Sequence, residues 1–110
     1  MKKLVCFALV LVLLFALAGN AFAHQGTVSV RTWLNLRRGP GDNYTTKGYM
    51  RNGTIVVVLD MMSLTNGYYQ IRGYYYAHHA PKNDLNNDSL WTGRTLGEGY
   101  AYNSYIINVG

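Results

Sequence analysis

Between Val28 and Leu36, apolar or β-branched residues recur at every second position. Val28, Val30, Thr32, Leu34 and Leu36 fall on one side, and Ser29, Arg31, Trp33, Asn35 and Arg37 on the other. A period of two is that of a strand with one buried face, so the pattern predicts a strand over residues 28–36. Gly39-Pro40-Gly41 ends it, because Pro40 has no N–H for a ladder and Gly41 admits positive φ. Asp42-Asn43 then extends a loop to Tyr44. Gly48-Tyr49-Met50 reads as a short strand. Asn52-Gly53 is a hairpin signal, and the β-branched run 54–59 contains no breaker and predicts a central strand. Residues 60–65 form a less regular connection, Asn66-Gly67 is a second turn, and residues 68–72 (YYQIR) alternate again. The closing segment, 99–109, predicts a turn and a final strand whose Ile107 and Val109 pair with the first.

Two stretches depart from this pattern. Residues 74–98 show no helical period, are rich in Asn and Asp and contain a single proline, Pro81. They read as a long insertion, either a loop or a hairpin with an irregular tip, anchored by Trp91 and with its Asn-rich part mobile; loops this long are usually functional or disordered. At the other extreme, residues 4–17 are almost wholly apolar, follow Lys2 and Lys3, and lead to Ala21-Phe22-Ala23. Basic start, apolar stretch and small-x-small end together predict a cleavable signal peptide over 1–23, and hence a secreted or periplasmic product with no stable membrane span after cleavage.

Export changes what the rest of the composition means. Cleavage after Ala23 leaves one domain, residues 24–110, and removes Cys6, the only cysteine of the 110 residues. No disulfide can then support this small chain, and aromatic packing and sheet hydrogen bonds must do so. All three Phe lie before residue 24, so the mature aromatics are ten Tyr and two Trp. Such rings can fill a thin core while keeping a polar end at the surface. The mature chain carries eight Lys and Arg against five Asp and Glu, a formal +3. That mild excess suits anionic wall polymer but lacks the dense basic patch of a nucleic-acid binder.

Catalytic constellations are absent from the sequence. Without cysteine no Cys-His peptidase centre can form. The carboxylates Asp42, Asp60, Asp84, Asp88 and Glu98 sit mostly in turns and loops with no rigid pairing, and no serine stands in a nucleophile elbow. The expectation is a protein that is not an enzyme and needs no cofactor. A minor alternative is copper binding: cleavage would make His24 the N-terminal residue, with an amine and an imidazole to offer, and His78 or His79 as a second ligand.

At this point the motifs carry a resemblance. Leu34-Asn35-Leu36-Arg37, Gly39-Pro40-Gly41, Tyr44, Gly48, Gly53, the strand around Val56-Val58, Gly67-Tyr68-Tyr69-Gln70-Ile71-Arg72, and Gly99-Tyr100-Ala101-Tyr102 up to Tyr105-Ile106 follow one another in the order of the bacterial SH3-like (SH3b) domain, which the chain resembles over residues 26–109. Tyr68 and Tyr100 stand where that family usually has Trp, and the 74–98 insertion replaces a short hairpin. The resemblance implies an all-β fold, a small SH3-like barrel with a long inserted loop or hairpin. It also implies a non-catalytic role in binding cell-wall peptidoglycan or its stem peptides. The candidate ligand-binding residues are Asn35, Arg37, Tyr44, Tyr68 and Tyr100: rings to stack on sugars or apolar groups, Asn35 for an amide, Arg37 for a stem-peptide carboxylate. Each has a structural alternative, Arg37 bracing the Gly-Pro loop, Asn35 satisfying backbone groups and Tyr68 filling the core. The rival role is a protein–protein interaction module, an inhibitor or adhesin accessory, that uses residues 74–99.

Overall fold

The structure is a computed structural model whose described residues are 24–59 and 65–110. The expected signal peptide and most of the 60–65 connection lie outside them. Seven strands form: β1 (His24–Val28), β2 (Trp33–Arg37), β3 (Thr46–Arg51), β4 (Ile55–Val58), β5 (Tyr68–His78), β6 (Thr92–Tyr102) and β7 (Ile106–Ile107). All pairings are antiparallel and make one sheet in the order β3-β2-β6-β5-β4-β1-β7, with a further contact between β3 and β5 through Tyr49 and Tyr76.

The expected SH3-like barrel is not what forms. The sheet is open: its end strands, β3 and β7, do not pair with each other. Closure would need β7 to extend far enough to pair with β3 at the other end of the order. Here β7 has two residues, both already paired to β1, and Asn108 follows at φ 56°, turning the chain away. The all-β class holds, and the closed form does not.

The strand expected over 28–36 is also divided. β1 ends at Val28 and β2 begins at Trp33, and the two lie in different parts of the sheet. Between them the backbone is bound to loops instead of strands. Ser29 N–H donates to Tyr105 O at 2.9 Å, Val30 N–H donates to Asn52 Oδ1 at 3.0 Å, and Val28 O accepts from Gly53 N–H at 2.7 Å. Asn52-Gly53 makes the turn its composition demands, with Gly53 at φ 85°, but β3 and β4 then take different partners and no hairpin ladder follows. Asn66-Gly67 behaves as a two-residue hairpin turn should: both residues have positive φ, 53° and 79°, and Tyr68 N–H closes it onto Thr65 O at 2.9 Å.

The insertion is mostly regular. β5 and β6, eleven residues each, pair from Tyr68–Tyr102 out to His78–Thr92, so the excursion is a long hairpin whose irregular part is confined to residues 79–91. Two short 3-10 turns, Lys82–Asp84 and Asp88–Leu90, shape that tip. Trp91 is buried at its base. Its Nε1–H donates to Leu85 O at 2.9 Å, its ring meets Tyr76 edge-on at 5.5 Å, and the Arg51 guanidinium lies over it at 5.1 Å.

The core is formed by Val28, Leu34, Leu36, Met50, Val56, Val58, Ile71, Ala101 and Ile106, with Tyr69 and Tyr75 packed against it. The inward residues of β2 are those the alternation selects, and the β-branched run of β4 buries Val56 and Val58 while Ile55 and Val57 face outward. The final strand joins the first through Ile107 opposite Thr27 and Ile106 opposite Val28, whereas Val109, also expected to pair, lies beyond β7.

Candidate functional site

Loop 38–45, which joins β2 to β3, is fixed to the sheet by polar contacts. Arg37 Nη1 donates to Asp42 O at 3.2 Å and to Tyr44 O at 3.1 Å. Asn66 Nδ2 donates to Pro40 O at 3.1 Å, and the Tyr68 hydroxyl donates to the Asp42 carboxylate. Tyr44 lies against Gly39 so closely that a Cβ there would enter its ring, which is why the loop needs glycine at 39. A segment with no regular hydrogen bonding is thereby held as the wall of a groove.

The groove has a volume of about 1270 Å³ and is lined by the 29–32 connection, the outer side chains of β2, Gly41 and Asp42 of the fixed loop, and three tyrosines. Tyr68 and Tyr102, opposite one another on β5 and β6, meet edge to face at 5.5 Å, and Tyr105 follows Tyr102 at 6.0 Å. The short 3-10 turn Asn103–Tyr105 brings these last two rings onto the same side. Tyr102 and Tyr105 are 42% and 47% exposed, whereas the Tyr68 ring is buried beneath them. The hydrogen bond to Asp42 raises the Tyr68 pKa above its ordinary 10.0. Burial and the negative charge of Asp42 act in the same direction, and Arg37 opposes them.

The five candidate residues are separated by this geometry. Asn35, Arg37 and Tyr68 line the groove together. Arg37 spends its Nη1 on loop carbonyls, and Tyr68 spends its hydroxyl on Asp42, so both act as braces of the groove wall. Tyr44 is exposed on the loop and does not line the groove. Tyr100 lies opposite Gln70 and Arg37 and lines a separate small depression with Arg38, Lys47 and Glu98. Tyr102 and Tyr105 were not among the candidates. Their three-residue spacing places them together only because a 3-10 turn interrupts the strand, and strand periodicity cannot anticipate that.

A second, polar depression of about 440 Å³ lies under the hairpin tip and shares Val30, Arg31, Thr32 and Asn52 with the groove. Its far side is Trp91 and residues 82–86. The tip is tied across to the sheet by Arg51, whose Nη1 contacts Asp88 Oδ1 at 2.6 Å, and by His79, whose ring stacks on Trp33 at 3.6 Å and 21°. His24 lies in β1 opposite Val58. Among the described residues no group of three or more His, Cys, Asp or Glu is placed to hold a metal ion.

Comparison with protein-family models, curated proteins and solved structures finds no match to this chain.

Proposed function

We propose that the protein is an exported, non-catalytic binding module that takes cell-wall peptidoglycan, or a peptide derived from it, in the groove between β2 and the Tyr102–Tyr105 rings. The observation that carries this reading is the construction of the groove. Arg37, Asp42, Asn66 and Tyr68 use their polar groups to hold its wall, while Trp33, Asn35, Tyr102 and Tyr105 remain partly or largely open along it. A braced wall that carries exposed aromatic rings beside polar side chains suits a ligand site, since the groups that hold it are ordered before binding. The SH3b-like order of motifs and the signal-like leader favour wall polymer among possible ligands, and the mild positive charge is compatible with it.

Cosedimentation with purified peptidoglycan sacculi at low and moderate salt tests the reading. The protein is expected to be retained at both salts, because a groove contact is screened far less than surface charge attraction. Replacing Tyr102 and Tyr105 together by Ala is expected to lower retention several-fold, taking about 0.5 to 1.5 kcal/mol for each aromatic contact. Retention erased by moderate salt, or unchanged in the folded double variant, would overturn it.

A second reading, a protein–protein interaction module, is favoured by a different surface. On the outer side of the hairpin Tyr74 and Leu96 stand opposite each other and are 45% and 47% exposed, with Arg94 over the Tyr74 ring at 4.0 Å. Binding that survives the Tyr102/Tyr105 double substitution but is lost on replacing Tyr74 and Leu96 would select it.

A further inference from the structure

Towards the hairpin tip, β6 has left β2 behind. β2 ends at Arg37, opposite Tyr100, and the chain then turns through loop 38–45. The other strand of the hairpin stays covered, β5 meeting β3 at Tyr76 and Tyr49. Residues 92–96 of β6 are all exposed, so neither face of the strand there is covered by another element. Which backbone groups lie on its free edge follows from the strand phase, since successive residues direct their N–H and C=O groups to opposite edges. Arg38 N–H donates to Thr45 O at 3.0 Å and so faces β3; Arg37 then faces β6, and its pair Tyr100 faces β2. Glu98, Leu96 and Arg94 share the phase of Tyr100. Lys47 Nζ, reaching from β3, agrees with this by donating to Glu98 O at 2.7 Å. Among the described residues no strand or loop bonds the outward N–H and C=O of Arg94 and Leu96.

We propose that a second copy of the chain pairs with this edge, antiparallel, through residues 94–98 of each copy. The segment RTLGE is complementary to itself in that sense. With Leu96 opposite Leu96 of the second copy, Arg94 stands opposite its Glu98 and Glu98 opposite its Arg94. All three lie on the outer face of the hairpin, where Arg94 covers the Tyr74 ring at 4.0 Å. On the other face Thr95 meets only Gly97 of the second copy. Opposite charges facing each other across strands attract, and a slip of two residues would set Leu96 against a charge, so the side chains select one register. Neither Pro nor Lys, which commonly protect an edge, occurs in residues 92–98. Gly93, at φ 73°, bounds the ladder at one end. Lys47 bounds it at the other, and the Glu98 carbonyl keeps a second lone pair for the ladder. A twofold axis at Leu96 makes the contact close on itself as a dimer, with no propagation into fibres. Its few residues a side are well short of the roughly 20 to 30 of a stable interface, so the dimer is a reversible one. None of residues 94–98 lines the groove, so the dimer carries two open grooves and can engage a polymer at two points. The inference holds whatever the groove takes.

Analytical ultracentrifugation of the purified protein at rising concentration tests the seam. The unaltered protein is expected to pass reversibly from monomer to dimer. Arg94→Glu alone, or Glu98→Arg alone, brings like charges face to face at both ends of the seam. Each is expected to weaken association about tenfold or more. An equimolar mixture of the two variants restores opposite charges at both ends and is expected to recover a mixed dimer. The chain carrying both substitutions is expected to recover a dimer by itself. Hydrogen exchange of the unaltered protein gives a reading that needs no variant. The Arg94 and Leu96 amides are expected to slow as concentration rises, while those of Thr95 and Gly97, which face β5, stay as they are. A protein that remains monomeric at every concentration would overturn the proposal. So would a dimer that neither single substitution weakens, or a mixture of the two variants that does not associate. Should a variant fail to fold, the exchange measurement decides: association without slowing at Arg94 and Leu96 places the contact elsewhere and overturns the seam.

Discussion

At the scale of single residues, the loop beside the groove turns on Tyr68. Its side chain is buried, and its hydroxyl is bound to Asp42. A donor held by a carboxylate gives up its proton less readily, so the folded pKa exceeds the unfolded value of 10.0. The folded state then binds this proton more tightly than the unfolded state does. The resulting stability is fully present below pH 10 and is lost as pH rises through the higher folded pKa. Tyr68→Phe keeps the ring and removes the bond. It is expected to cost about 1 kcal/mol near neutral pH, with the gap between the two proteins narrowing at higher pH; melting temperatures measured from pH 7 to 12 check this. A gap that widens with pH would show that the hydroxyl is not held by Asp42.

At the scale of elements, the β5–β6 hairpin combines a paired ladder with a tip held at a few points. Trp91, Arg51 with Asp88, and His79 on Trp33 are those points. The Arg51–Asp88 contact adds little, because Asp88 is largely exposed and such pairs contribute under about 1 kcal/mol. Trp91 is the anchor. Trp→Ala in a cooperative core costs about 3 to 5 kcal/mol. For Trp91→Ala a smaller loss of global stability is expected, because residues 79–91 contribute no other buried side chain except Ala80 and can open while the ladder stays closed. Limited proteolysis of that variant should cut within residues 82–89 much faster than in the unaltered protein. A full core-sized loss in chemical denaturation, with no faster cleavage at the tip, would make the tip an integral part of the folding unit.

At the scale of the whole molecule, stability rests on one small aliphatic core under an open sheet. Leu36 is completely buried there and touches the β6 backbone near Gly99. Leu36→Ala is expected to cost about 2 to 5 kcal/mol, a large fraction of what a domain of this size possesses. Denaturant unfolding followed by tyrosine fluorescence and by circular dichroism should show both signals lost together. Because β2 also carries Asn35 and Trp33, the same substitution should disturb the groove, whereas Trp91→Ala should leave the groove's tyrosine wall intact. The core thus holds the site in place, and the hairpin tip bounds only its neighbouring depression.

The sequence by itself determined the all-β class, the buried phase of β2, the existence of β4, the two Asn-Gly turns, the docking of the last strand on the first and the anchoring role of Trp91. Each depends on local propensity or on an alternation that a half-buried sheet imposes. Tertiary structure decided the rest. The 28–36 alternation stays in phase through a connection that is not a strand, because Val28 to Val30 find loop partners; periodicity reports which side faces the core, not which backbone group is bound. The open sheet follows from how far β7 extends, a property of long-range pairing that no window of residues contains. Strand phase puts Asn35 and Arg37 on one face, but it says nothing of Tyr68, which lines the groove, or of Tyr44 and Tyr100, which do not. The direction of a loop and the side on which β6 leaves β2 are set by contacts between residues far apart in the chain.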